Sequence, residues 1–409
     1  MSSSAVPPDV FAPATLGPVE LRNRIIKAAT FEGRSPDGLV TDELIDYHLA
    51  PSRGGVGLTT VAYLAVSPEG RTHREAIVVD GRSAPGLARL ADAVHETGAK
   101  IGGQLGHAGP VANGRSNGVH AVAASKMPSP LSMQMIRSAT EADIARVTKD
   151  YVTAARILTD AGFDVLEIHM AHGYLVSSFL APRQNRRKDA WNGSLENRAR
   201  FARQVARAVR EEVGGEVAVI AKVGMTDGSS AGFEMPETLE FARMLQDDGT
   251  LDALELSGGS SLLNPMYLFR GAVPLKEFAA TMPGPVRVGM HSPIGKKFFR
   301  SYPFEEAYFR PKALAFREAL AMPLVMLGGI NARSTMERAM DDGFEFVAMA
   351  RALLREPDLV NRMRAGEADA GVCSHCNMCM TKAAATSDKV GDTRTRCVEI
   401  PGERLSAHA

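Results

Sequence analysis

The sequence predicts an α/β fold, a TIM (β/α)8 barrel with a short Cys-containing C-terminal extension. Three observations point there. Eight short apolar runs alternate with amphipathic segments over about 330 residues. Most of those runs are continuous rather than alternating, as in strands buried on both faces of a parallel sheet. The two long connections, 105–139 and 258–310, each follow a strand, so both fall on the C-terminal face, where barrels place their chemistry. A doubly wound sheet is the runner-up, but no G-x-G-x-x-G follows any early strand.

Taken in order, the expected strands are 24–29, 56–63, 99–104, 164–169, 217–223, 252–257, 323–328 and 345–350. The expected helices are 85–97, 140–161, 195–213, 236–248, 311–321, 332–342 and 357–365. Thr140 with Asp143 reads as a capping box opening the second of these. In 195–213, Leu195, Arg198, Phe201, Val205 and Val209 recur near helical spacing. The chain divides into a barrel over 1–365 and a tail over 366–409.

Composition narrows the function. Of 409 residues, 45% are hydrophobic and 23% charged, enough apolar material for a large core. The 47 basic and 47 acidic side chains cancel, which argues against an electrostatic nucleic-acid binder. No apolar run approaches a membrane span. Residues 1–10 show neither a basic n-region nor an apolar h-region, so a cytoplasmic protein is expected.

Polar residues at the C-terminal strand ends are the candidate site. After the fourth strand, His169, His172 and Tyr174 fall within six residues. They read as two hydrogen-bond donors for a substrate oxygen and a proton donor. A metal-binding His pair or a satisfied pair under a loop are the alternatives. Gln104 ends the third strand and offers a donor and an acceptor together, as a heterocycle edge requires; a loop-capping amide is the alternative. Lys222 lies in an apolar strand and needs a partner or a shifted pKa, facing an anionic cofactor atom or only capping the strand. Gly328 and Gly329 after the seventh strand, with Ala350 and Arg351 after the eighth, suit the phosphate site that recurs there in barrels.

The ordered stretch from Gly162 through His169, His172, Tyr174, Pro182, Asn185, Gly193 and Asn197 to Phe201 resembles the old yellow enzyme family of FMN-dependent oxidoreductases. The branch it resembles is that of the barrel domains of 2,4-dienoyl-CoA reductase and trimethylamine dehydrogenase. Supporting stretches are 22–27, 54–58, 104–109 and 350–358, so the resemblance covers nearly the whole chain. It implies FMN at the barrel mouth and NAD(P)H as co-substrate. Gln104 would bind the flavin pyrimidine, and Lys222 would stand where arginine is usual near N1 and O2. Ala28, Ala29 and Thr30 would lie near O4. Gly328, Gly329, Ala350 and Arg351 would hold the phosphate. His169 and His172 would bind the substrate oxygen and Tyr174 would donate the proton. Phe31 departs from the usual pattern, Ala350 replaces a commoner glycine, and Lys222 loses the planar fork of arginine.

All four cysteines come late, at Cys373, Cys376, Cys379 and Cys397. Their order suits a four-thiolate site, a [4Fe–4S] cluster first, structural zinc second, a metal-free tail third. The Cys-Asn-x-Cys core is also similar to the cluster site of the trimethylamine dehydrogenase branch.

The leading expectation is an ene-reductase acting on a hydrophobic α,β-unsaturated carbonyl, an enone or an enoyl thioester. An amine or C–H dehydrogenase passing electrons out through the Cys quartet to a protein partner is the alternative, and a zinc-stabilised binding barrel the third. No nucleic-acid or membrane partner is expected, and a homo-oligomer is left open. Met133, Met135, Met266, Tyr267, Phe269, Phe298 and Phe299 in the long connections suit either an apolar substrate or core packing.

Overall fold

A computed structural model describes residues 7–129, 132–280, 282, 284–383 and 394–400. Eight parallel strands close into a barrel: β1 Ile25–Lys27, β2 Leu58–Ala65, β3 Lys100–Gly106, β4 Val165–Met170, β5 Ala218–Gly224, β6 Ala253–Ser257, β7 Leu324–Leu327 and β8 Phe346–Met349. Each pairs with its neighbours in sequence, and β8 returns to β1. All eight expected strands are present, in the predicted order. Continuous burial along β2, β4 and β6 explains their unbroken apolar character: one face meets the barrel interior, the other a helix.

The outer helices are α1 Asp42–Arg53, α2 Ala84–His95, α3 Glu141–Asp160, α4 Leu195–Val213, α5 Glu237–Asp247, α6 Arg310–Ala319, α7 Arg333–Asp341 and α8 Leu359–Arg364. The capping box at α3 forms, with Thr140 Oγ1 accepting from Asp143 N at 3.1 Å and the Asp143 carboxylate accepting from Thr140 N at 2.9 Å. In α4, Phe201, Val205 and Val209 are fully buried. Helix α1 was not expected. It buries Leu44, Ile45 and Leu49, but Pro51 in its last turn and His48 on its apolar face hide the pattern. The expected helix 357–365 is α8, preceded by a separate short helix Arg351–Arg355. Pro357 lies between them and disfavours helical geometry in the residue before it.

A hairpin of Ala14–Leu16 and Val19–Leu21 also lay outside the expected elements. Its turn needs Gly17, at φ +55°. Leu16 and Leu21 pack with Ile26, Leu58, Ile220 and Phe346, sealing one end of the barrel with apolar side chains. The opposite, C-terminal end is left for the polar groups.

The two long connections have their own structure. Segment 105–139 holds a three-stranded sheet with Met135–Ser138 central. Segment 258–310 holds four short helices around a separate small core of Met266, Phe278, Ala279 and Met290, with Phe269 and Phe299 packed on it. Core packing therefore accounts for Met266, Phe269 and Phe299. Met133 and Met135 are about half exposed and line an open apolar groove of about 600 Å³ with Met127, Leu262, Leu263 and Val286. Among the described residues no helix is long and apolar enough to cross a membrane.

The tail packs back on the barrel. Gly371 N donates to Asn331 O at 2.9 Å, and Thr395 N to Glu32 O at 2.9 Å. Arg34 Nη1 donates to Thr395 O at 2.9 Å.

Candidate active site

Strand β4 delivers His169 into the barrel mouth, and the chain then turns sharply. His172 at φ +63° and Gly173 at φ +80° adopt left-handed conformations in succession. A Cβ on Gly173 would meet Ser260 Oγ at 2.9 Å, so the close approach of the β6 loop requires glycine. The turn gathers three rings. The His169 and Tyr174 centroids are 4.5 Å apart, and those of His169 and His172 are 5.0 Å apart. Tyr63 adds a second phenol, 5.7 Å from Tyr174, and donates its hydroxyl to Gly70 O.

Electrostatics set the protonation states. Burial, with the charge of Lys222, pushes His172 down to about 3. Burial, then His172 and Lys222, hold His169 well below the usual histidine range. Both imidazoles are therefore neutral near pH 7, each with one N–H to donate. Burial pushes the Tyr174 phenol up to about 12, so it keeps its proton. His172 Nε2 lies 2.8 Å from Ser257 Oγ, whereas His169 Nδ1 is buried without a partner among the described residues. An unpaired buried nitrogen beside a phenol that retains its proton suits a hydrogen bond to an incoming carbonyl oxygen and delivery of a proton to a neighbouring carbon.

Lys222 stands in register with His169 on β4 and Glu255 on β6, and Gln104 with Glu167. The lysine bridges two carboxylates, with Nζ 3.0 Å from Glu167 Oε2 and 3.0 Å from Glu255 Oε1. Gln104 Nε2 donates to the same Glu167 oxygen at 2.5 Å. All four side chains are buried. Burial works against the ammonium, but the two carboxylates outweigh it and raise the Lys222 pKa. Burial pushes the Glu255 carboxyl up from its usual range, against the pull of Lys222. Glu167 Oε1 and Glu255 Oε2 have no hydrogen-bond partner among the described residues. Glu255 and Ser257 were not singled out from sequence, although a glutamate in the apolar run 252–257 is as unusual as Lys222 in its own strand. Glu167 was visible only as part of the motif.

At the β1 end, Ala28 N donates to Met349 O at 2.8 Å. The Thr30 hydroxyl lies 3.0 Å from Tyr47 Oη. Ala29 and Tyr174 both pack against the apolar cluster that holds Ala62 and Tyr63. Phe31 stacks edge-on to His73 at 5.2 Å, so no hydrogen-bonding side chain stands at that position.

At the β7 and β8 ends, Gly328 and Gly329 take φ +103° and +79°. A Cβ on Gly328 would lie 2.3 Å from the Phe309 ring, and one on Gly329 2.7 Å from the Tyr308 ring. Arg351 Nη1 donates to Arg270 O at 2.8 Å and to Asn377 Oδ1 at 2.5 Å. The Arg270 guanidinium sits over Tyr267 and Tyr308, about 5 Å from each centroid. Among the described residues neither Arg270 nor Arg351 has a carboxylate partner within salt-bridge distance. Two uncompensated guanidiniums beside a Gly-Gly turn suit a dianionic phosphate. Orphaned polar atoms around Gln104 and Lys222 suit a heterocycle edge. The residues present thus fit FMN end to end.

Cys373, Cys376, Cys379 and Cys397 are free and half-buried. Cys397 Sγ lies 3.6 Å from Arg355 Nη1. Among the described residues, no three His, Cys, Asp or Glu side chains converge as a metal-ligand set.

Comparison with known proteins agrees with this geometry. Residues 9–257 match the NADH:flavin oxidoreductase / NADH oxidase family. The chain is 51% identical over 396 residues to a 4,4'-dithiodibutanoate disulfide reductase of Rhodococcus erythropolis, covering 97% of this chain and 96% of that protein. It is 32% identical over 370 residues to a metal reductase of Desulforamulus reducens, covering 90% of this chain but about half (50%) of that protein's length. Among solved structures, a 2-naphthoyl-CoA reductase complex superposes with a TM-score of 0.77 at 24% identity, over 90% of this chain and 54% of that one, a likeness of fold. By sequence match and fold, the chain belongs to the NADH:flavin oxidoreductase / NADH oxidase family, and an old yellow enzyme homologue of Zymomonas mobilis shares its fold.

Proposed function

We propose that this protein reduces the activated C=C bond of an α,β-unsaturated carbonyl at the expense of NAD(P)H. The observation that supports this most directly is the cluster of His169, His172 and Tyr174: two neutral imidazoles and a phenol that holds its proton, gathered at one strand end. FMN, when bound, would supply the two-electron hydride chemistry between NAD(P)H and the alkene. The two imidazoles donate N–H to the carbonyl oxygen and stabilise the negative charge that develops there. Tyr174 then delivers its proton to the α-carbon. Gln104 and Lys222 would hold the pyrimidine; Gly328, Gly329, Ala350 and Arg351 would hold the phosphate. The apolar groove beside the site, with Leu262 next to Gly173, suits a hydrophobic substrate.

Disulfide reduction is the second reading. It is favoured by 51% identity, over nearly the whole of both chains, to a 4,4'-dithiodibutanoate disulfide reductase. Here hydride would go to one sulfur, and the other would leave as a thiolate. The test is anaerobic: NADH or NADPH bleaches the flavin, then the reduced protein is mixed with 2-cyclohexenone or with 4,4'-dithiodibutanoate. Faster reoxidation by the enone supports alkene reduction; reoxidation by the disulfide alone overturns it in favour of the second reading. Bleaching by an amine substrate instead of NAD(P)H overturns both.

A further inference from the structure

The motif Cys376-Asn377-Met378-Cys379 draws attention for its cysteines, but its most heavily engaged side chain is the asparagine. Asn377 is 1% exposed and sits at φ +60°, a left-handed conformation that asparagine tolerates. Its amide nitrogen donates to Phe269 O at 2.7 Å and to Ala272 O at 2.9 Å. Its amide oxygen accepts from Arg351 Nη1 at 2.5 Å. Three elements distant in sequence therefore meet at one amide: the β6 connection, the arginine after β8, and the cysteine loop.

The contact is built on both sides. Ala272 N donates to His375 O at 3.0 Å, and the His375 ring stacks on Phe304 with centroids 3.3 Å apart. A Cβ on Gly271 would stand 2.2 Å from His375 O, so glycine is needed where the two loops meet. Among the described residues Arg351 has no carboxylate partner, and its side chain is held by Asn377 Oδ1, Arg270 O and the Tyr308 hydroxyl. A long side chain loses several rotatable bonds on ordering. Fixing it before the ligand arrives removes that cost from binding.

We propose that Asn377 is a positioning residue for the flavin phosphate: it holds Arg351 in place and thereby ties the cysteine loop to cofactor retention. The inference rests on the FMN reading above. It assigns the loop a task in this barrel whatever its thiols bind. The effect is expected at the phosphate end, because among the described residues Asn377 hydrogen-bonds to Phe269, Ala272 and Arg351 and to none of the residues assigned to the isoalloxazine.

The test uses full-length protein freed of flavin and titrated with FMN and with riboflavin, which lacks the phosphate. Asn377→Ala is expected to weaken FMN binding about tenfold and leave riboflavin binding unchanged. Adding Asn377→Ala to Arg351→Ala is expected to cause no further loss of FMN affinity, since the asparagine acts through the arginine. Equal losses for both flavins, no loss for either, or additive losses in the double variant would each overturn the inference. A wild-type protein that takes up neither flavin would instead overturn the cofactor reading, and the inference with it.

Discussion

His172 Nε2 and Ser257 Oγ lie 2.8 Å apart, joining the turn after β4 to the last residue of β6. Ser257 is fully buried, so water does not compete for the bond. The serine occupies one ring nitrogen, so in the proposed oxygen clamp Nδ1 would face the ligand. With Ser257 donating, Nδ1 carries the proton, as an oxygen clamp needs. Ser257→Ala frees the ring and its tautomer. The Kd of a phenol ligand is expected to rise about five- to tenfold, the worth of roughly one hydrogen bond. A spectral titration with phenol checks this; unchanged affinity removes Ser257 from the clamp.

Tyr174→Phe separates the two half-reactions. Flavin reduction by NAD(P)H is expected to persist. Reoxidation by an enone should slow by about 10² or more, the usual scale for a lost general acid. Reoxidation by a disulfide should slow far less, because a thiolate with a pKa of about 8.5 leaves without help. Stopped-flow absorbance measures all three. Equal slowing of both half-reactions would mean that Tyr174 has another role.

The Lys222 ion pairs make a stability prediction. Lys222→Met leaves Glu167 and Glu255 buried without their ammonium, and should cost about 3–5 kcal/mol in a urea melt. Combining it with Glu167→Gln should recover most of that loss, because the uncompensated charge goes too. Failure to recover would show that packing, not charge, dominates there.

The depressed histidines predict an acid-side weakness. Both His169 and His172 have folded-state pKa values below the unfolded value of about 6.5. The folded state then binds fewer protons, so stability rises with pH below 6.5 and falls as pH drops toward 3. Between pH 6.5 and 5 each buried histidine accounts for up to about 2 kcal/mol of that fall. His172→Asn should flatten the slope of urea midpoint against pH over this window. An unchanged slope would mean that His172 takes up its proton in the folded state.

Much of the fold and site was legible before folding. The eight apolar runs gave the strands, since burial on both faces leaves a continuous hydrophobic signature. His169 and Tyr174 stood out as candidates because three hydrogen-bonding side chains fall within six residues, and Gly328 and Gly329 because they follow β7 as Ala350 and Arg351 follow β8. Helix α1 escaped because Pro51 and His48 interrupt its pattern. Ser257 and Glu255 escaped because their partners, His172 and Lys222, lie on other strands.

The sequence by itself therefore determined the barrel, its strand order, and which side chains stand at the C-terminal mouth, because hydrophobic period and local turn chemistry are properties of contiguous residues. Only the tertiary structure decided the pairings: Glu167 and Glu255 on Lys222, Ser257 on His172, and Asn377 on Arg351. Closing a barrel sets strands side by side in a register that no short stretch encodes. Burial then fixes who must pair with whom, since a polar group removed from water is stable only with a partner or a ligand.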